Sequence, residues 1–117
     1  MTLFISDKER AWEDLGKGVS RKIMSYSEDL MVVKVRFETG SIGAAHQHPH
    51  TQISYVESGV FEYTIGENTV VMEQGDSCII PSNIIHCCQC IAAGVLIDSF
   101  NPMRKDFVTQ IPPSYSR

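Results

Sequence analysis

Alternation of apolar and polar residues, broken at short intervals by glycine or proline, constrains this chain most. Beyond the first 20 residues nearly every segment repeats with period two, the pattern of half-buried strands. The run from Met31 to Phe37 puts Val33, Val35 and Phe37 on one face and Lys34 and Arg36 on the other. Residues 53–56 and 60–65 read as strands, with Glu57-Ser58-Gly59 between them as a tight turn. Gly66-Glu67-Asn68 then marks a hairpin into residues 69–72. Ser77 to Ile80, residues 84–91 and residues 94–100 complete the series. Gly40, Gly43, Gly59, Gly66, Gly75, Pro81 and Gly94 punctuate it. Short strands at such spacing predict an all-β sandwich or barrel, not alternating strands and helices. Only the stretch from Lys8 to Leu15 has room for a helical turn. With 117 residues the expectation is one domain whose core needs no disulfide or structural metal.

Charge narrows the function classes. Ten Lys and Arg against fourteen Asp and Glu leave a net charge of −4, with no basic run. That balance argues against a nucleic-acid partner or an anionic membrane surface. An acidic ligand would have to be met by a few local cations. No stretch approaches the roughly 20 apolar residues of a membrane span. The first ten residues reach charge too early for a signal peptide, so a cytoplasmic location is expected. Of four cysteines, Cys87, Cys88 and Cys90 crowd together, and Cys78 stands apart. Neither a disulfide framework nor Cys-x-x-Cys zinc spacing results, so these residues read as mostly buried thiols.

Three of the four histidines fall in His46-Gln47-His48-Pro49-His50, followed by Thr51 and Gln52. On a strand, residues two apart share a face, so the His46 and His48 rings can meet at one metal ion. Pro49 interrupts the ladder. The expected geometry therefore ends one strand with His46 and His48, opens the next with Gln52 and leaves His50 in the connection. His86 arrives from a distant segment. A pair of histidines on a polar strand face, with no ion, remains the alternative at this point.

The wider spacing is more specific. Gly40, His46, His48, Gln52 and Gly59 are separated by five, one, three and six residues. Gly75, Pro81, His86 and Cys90 are separated by five, four and three. These runs resemble the two motifs of the cupin family, with Gln52 where Glu is usual and Cys90 where Asn is common. The resemblance implies a double-stranded β-helix barrel over about residues 18–101, an N-terminal arm over 1–17 and a tail over 102–117. It also implies one divalent ion per chain (Ni, Mn, Fe, Zn or Co) held by His46, His48, Gln52 and His86. Gln52 in place of a carboxylate leaves the ion its full formal charge, which favours anionic ligands and Lewis-acid chemistry. By parity Cys88 and Cys90 point inward as barrel filling, and a Cys88 thiolate ligand is a minor variant.

The closing segment adds Asp98 and Phe100 on one strand face, shared with Leu96. A carboxylate among inward apolar neighbours needs a partner or a task. Pro102 ends that strand, and Arg104 can fold back over the mouth. An acid, an aromatic wall and a guanidinium suit a sugar acid. In the plainer alternative, backbone amides satisfy Asp98, and Arg104 pairs with Asp106 at the surface. Trp12, the His-x-His-Pro-His-x-Gln segment and the ending Asp98-x-Phe100-x-Pro102-x-Arg104-x-Asp106-Phe107 are similar to the small pectin-degradation cupins of the KdgF type.

That resemblance implies ring opening of 4,5-unsaturated monouronates to 5-keto-4-deoxyuronates, with Asp98, Phe100 and Arg104 at the substrate and catalytic positions. It also implies a homodimer, with the segment around Trp12 crossing to the partner. Two other classes stay open: a different metal-dependent cupin enzyme, such as a dioxygenase or sugar isomerase, and a non-catalytic sugar-acid-binding cupin.

Overall fold

A computed structural model of the protein describes residues 2–109. Of the tail implied over 102–117, residues 110–117 lie outside the described ones. Eight strands form one antiparallel sheet, entered through a short 3-10 turn, Asp7–Glu9. They are β1 (Glu13–Gly16), β2 (Val19–Tyr26), β3 (Met31–Phe37), β4 (Ile42–His46), β5 (Thr51–Ile65), β6 (Asn68–Glu73), β7 (Ser77–Ile80) and β8 (His86–Asn101). A five-residue helix, α1 (Lys105–Thr109), follows. No helix among the described residues is long and apolar enough to cross a membrane. The helical turn expected over residues 8–15 is confined to the 3-10 turn, because Glu13–Gly16 pairs with β2 as an edge strand.

Sheet order runs β1-β2-β3-β8-β5-β6, with β4 added to β8 and β7 to β5. Two long strands, β5 and β8, organise everything else. They pair along their whole length, from Thr51↔Asn101 to Ile65↔His86. The first half of β5 also takes β7, and its second half takes β6. The first half of β8 takes β4, and its second half takes β3. Each long strand thus belongs to two walls, and the bend between its halves closes the sheet on itself. This is the barrel the motif spacing implied.

Two sequence expectations are corrected at that bend. Glu57-Ser58-Gly59 is not a turn, and residues 84–91 and 94–100 are not separate strands. The β5–β8 register shifts at Val56/Ser58, Ser58/Val60 and Val60/Phe61, so these are bulges inside continuous strands. Gly59 has φ +83°, and a Cβ there would lie 2.5 Å from the Ala92 carbonyl oxygen. A Cβ on Gly94 would strike the Ser58 carbonyl. Only glycines let the two backbones cross this closely. By contrast the hairpin expected after Gly66 is present, with Gly66-Glu67 as its two-residue loop, Asn68 already paired with Ile65 and Gly66 at φ +58°.

Inward residues of the alternation fill two clusters. Around the bend, Phe37, Val56, Phe61, Met72, Cys90 and Leu96 pack together with Tyr63, Ile80 and Cys88. Phe37 meets Phe61 edge to face, with ring centroids 5.2 Å apart. Met31, Val33, Phe100 and Met103 form the second cluster, capped by Phe107 and Val108 of α1. Trp12 lies against Lys22 and Arg36 of its own chain, at 4.8 Å and 4.2 Å from the ring centroid. All four cysteines are free, with Cys88 and Cys90 buried and Cys78 and Cys87 partly so.

Candidate metal centre and substrate cavity

Cross-strand register brings the histidines together. His46 ends β4 and is the direct partner of His86, which opens β8. His48 lies in the connection, not on the strand as the spacing suggested, because Pro49 ends the ladder early. Gln52 is the second residue of β5. The ring centroids of His46 and His86 are 4.3 Å apart, those of His48 and His86 4.9 Å, and those of His46 and His48 5.4 Å. One nitrogen from each ring lies within 4.8 Å of the others.

Tautomers follow from the hydrogen bonds. Nδ1 of His46 donates to the Ala44 carbonyl at 2.7 Å, that of His48 to His50 at 3.0 Å and that of His86 to Ile84 at 2.9 Å. Each Nε2 is then left with a lone pair. His86 Nε2 is buried with no hydrogen-bond partner. His48 Nε2 faces Gln52 Oε1 at 3.0 Å, so two acceptors oppose each other. A cation between these groups satisfies the orphan and reconciles the facing lone pairs. Burial, above all, holds His48 and His86 below the usual imidazole range, so both rings are neutral near pH 7 and ready to ligate. His46, His48 and His86 form a site able to hold a divalent ion, and Gln52 Oε1 adjoins it.

Behind Gln52 a hydrogen-bonded relay reaches Asp98. Ser54 Oγ donates to Asp98 Oδ1 at 2.6 Å. With its proton used there, Ser54 accepts from Gln52 Nε2 at 3.1 Å and from the Tyr63 hydroxyl at 3.0 Å. Asp98 is therefore satisfied by a side-chain hydroxyl, not by the backbone amides considered above. Burial pushes its carboxyl up to about 6, against the lowering effects of Ser54, Gln52 and Arg104. Phe100 stands edge-on to His48, with centroids 5.8 Å apart. Arg104 Cζ lies 5.2 Å from the Phe100 centroid and 4.2 Å from that of Phe107. Its Nε and Nη2 also grip Asp106, at 3.0 Å and 2.7 Å. Both arrangements weighed for Arg104 are thus realised at once.

His46, Gln52, His86, Asp98, Phe100 and Arg104 line one inner cavity of about 170 Å³. His48 and His50 open instead on a wider outer mouth of about 820 Å³, which Arg104 also borders. The inner space is small against the roughly 300–1,000 Å³ of drug-sized ligand sites.

Residues 33–97 match the Cupin domain family. The chain belongs to the cupin family. Over 110 residues this cupin is 42% identical to the pectin degradation protein KdgF of Dickeya dadantii, covering 92% of this chain and all of that one. Among solved structures it is similar to KdgF from Halomonas sp., at 34% identity and TM-score 0.88 over 92% of this chain and 99% of that one. An RmlC-like cupin from Shewanella frigidimarina superposes with TM-score 0.89 at 36% identity, over 92% of this chain and 96% of that one.

Three residues in or behind this cupin's cavity wall escaped the sequence reading: Arg21 and Tyr63 in the wall and Ser54 behind it. Ser54 is two residues from Gln52 and pairs with Asp98 across the ladder, so parity along β5 held the signal. Tyr63 lies beyond the bulge, which scrambles parity. Arg21 sits opposite Val35, and its inward direction follows only from the β2–β3 register. Cys88 also lines the cavity, and burial pushes its thiol up to about 12.

Proposed function

We propose that this cupin is a metal-assisted enzyme of pectin or alginate breakdown that opens 4,5-unsaturated monouronates to 5-keto-4-deoxyuronates. The observation that carries the reading is a buried carboxyl pushed up to about 6, Asp98, in the same small cavity as His46 and His86, two of the three clustered histidines. Likeness to two proteins named KdgF, one of them a pectin degradation protein, supports the substrate class. In this reading His46, His48, Gln52 and His86 hold the ion. A bound divalent ion supplies Lewis-acid stabilisation where negative charge develops on the sugar.

The reaction is a proton shift with no net oxidation. The anomeric hydroxyl at C1 loses a proton, the bond from C1 to the ring oxygen breaks, and C1 becomes an aldehyde. The ring oxygen departs as the enolate of C5. Protonation at C4 then gives the 5-keto product. Asp98, ionised at pH 7 yet close to its pKa, takes the first proton and returns one at C4, a role typically worth about 10²–10⁴-fold. Ser54 holds the carboxylate in place through its 2.6 Å hydrogen bond. Phe100 packs on the sugar ring, and Arg104 adds positive charge beside the sugar acid.

A time course with freshly made unsaturated monouronate tests this directly. Absorbance of the C4=C5 bond falls faster with metal-loaded protein than without it, and oxygen is not consumed. Equal rates with and without protein would sink the enzymatic reading. Oxygen uptake coupled to turnover would point to a dioxygenase instead.

A further inference from the structure

Two cations line the inner cavity, Arg21 and Arg104, and both bear on Phe107, with guanidinium carbons 4.1 Å and 4.2 Å from its ring centroid. Their hydrogen bonding differs. Arg104 has the Nε and Nη2 edge of its guanidinium filled by Asp106, whose carboxyl is held below the usual carboxylate range by that contact. The edge best shaped for a second carboxylate is therefore occupied. Arg21 donates Nε to Glu13 Oε1 at 2.8 Å and makes no other hydrogen bond among the described residues. Its Nη1 and Nη2 keep their donors, on a side chain that is only 6% exposed. These donors stay free for an anionic group that enters the cavity. Glu13 approaches from the edge strand β1 and anchors the guanidinium on one side.

We propose that Arg21 holds the carboxylate of the bound sugar acid end-on through Nη1 and Nη2, supplying the bidentate grip that the Asp106 pairing denies to Arg104. This rests on the uronate reading above and assigns the substrate's acid group to a residue 83 positions from Arg104 in the chain. Arg21 is then a substrate-binding residue that sets affinity for an acid over a neutral sugar, while proton transfer stays with Asp98.

The test uses metal-loaded protein and galacturonate, a saturated hexuronate of the same size that cannot open by this route. Calorimetry compares the parent with Arg21→Met and Arg21→Lys, alongside galactose as the neutral sugar. Arg21→Met weakens galacturonate binding by about ten- to a hundredfold, the loss expected for a hydrogen-bonded charge. Arg21→Lys, which keeps charge without the fork, falls between, and metal content stays at the parent level in both. With the unsaturated substrate, Arg21→Met raises KM while kcat changes by less than about threefold. Galacturonate binding within twofold of the parent in a folded Arg21→Met protein overturns the proposal, as does a parent that binds galactose and galacturonate alike. Should Arg21→Met fail to fold, parent-like binding by Arg21→Lys overturns it equally. A parent that binds galacturonate through Arg21 but does not hasten loss of the C4=C5 absorbance refutes the enzyme reading alone.

Discussion

At the bend of the barrel, the inward positions of β5 and β8 are Val56, Phe61, Cys90 and Leu96, closed into one apolar cluster with Phe37 and Met72. Toward the mouth, the same two strands turn Gln52, Ser54, His86 and Asp98 inward, all of them buried. Each region keeps strict alternation, with a bulge in β5 between them, and the chemistry of the inward residue changes from one to the other. At the bend each large side chain contributes about 1.5–3 kcal/mol by leaving water. At the mouth, burial is unfavourable to every polar group that lacks a partner, and the relay from Gln52 to Asp98 offsets only part of this. The orphaned Nε2 of His86 shows where the offset stops within the protein and a ligand is called for. Stability is thus placed at the middle of these strands and activity toward their ends.

The strongest way to break this comparison is one substitution in each region. Phe61→Ala, at a fully buried ring, should cost about 3–5 kcal/mol in denaturant unfolding. Metal content per folded molecule should not change. His48→Ala should do the reverse: metal binding and turnover are lost, while chelated variant and chelated parent unfold alike. His48 belongs to neither apolar cluster, which is why its loss is expected to spare the fold. Loss of cooperative unfolding in His48→Ala would show that the mouth carries stability after all.

A smaller effect sharpens the same contrast at Asp98. Its folded pKa, about 6, lies above the ordinary 3.8, so the folded state binds this proton more tightly than the unfolded chain does. Stability therefore falls as pH rises from about 4 to 6, and above 6 the buried charge opposes folding. The shift corresponds to roughly 3 kcal/mol at most. Asp98→Asn should consequently stabilise metal-free protein at pH 8, with the gain fading as pH drops toward 4. Turnover should fall by about 10²–10⁴-fold in the same variant. Melting curves at several pH values, paired with the absorbance assay, read both. A variant equally stable and equally active at pH 8 would remove Asp98 from the proton-transfer role.

How much of this was legible in the sequence follows the range of each signal. Parity along one strand placed Val33, Val35 and Phe37, then Asp98 and Phe100, without reference to anything distant. The three-histidine cluster was legible through the motif spacing, although Pro49 moved His48 off the strand. Gly59 and Gly94 misled because a local pattern cannot separate a turn from a bulge whose partner strand lies some 35 residues away. Arg21 was hidden for a related reason. Nothing near it in sequence reveals that it faces the cavity, since that depends on pairing with Val35.

The finest test concerns a filler residue in the polar region. Cys88 points inward between the two regions and lines the cavity without joining the relay. Gly43 pairs with it, and a Cβ on that glycine would lie 2.9 Å from the Cys88 sulfur, so the thiol already fills its space. A thiol with a pKa pushed up to about 12 contributes volume, not charge, at any working pH. Cys88→Ala should then lower stability by about 1 kcal/mol, through lost packing alone. Metal content measured after dialysis should match the parent. Loss of metal in this variant would make the sulfur a ligand and extend the polar region by one residue toward the bend. Unchanged metal with a small stability loss would instead set the boundary between the two regions at Cys88, two residues along β8 from His86.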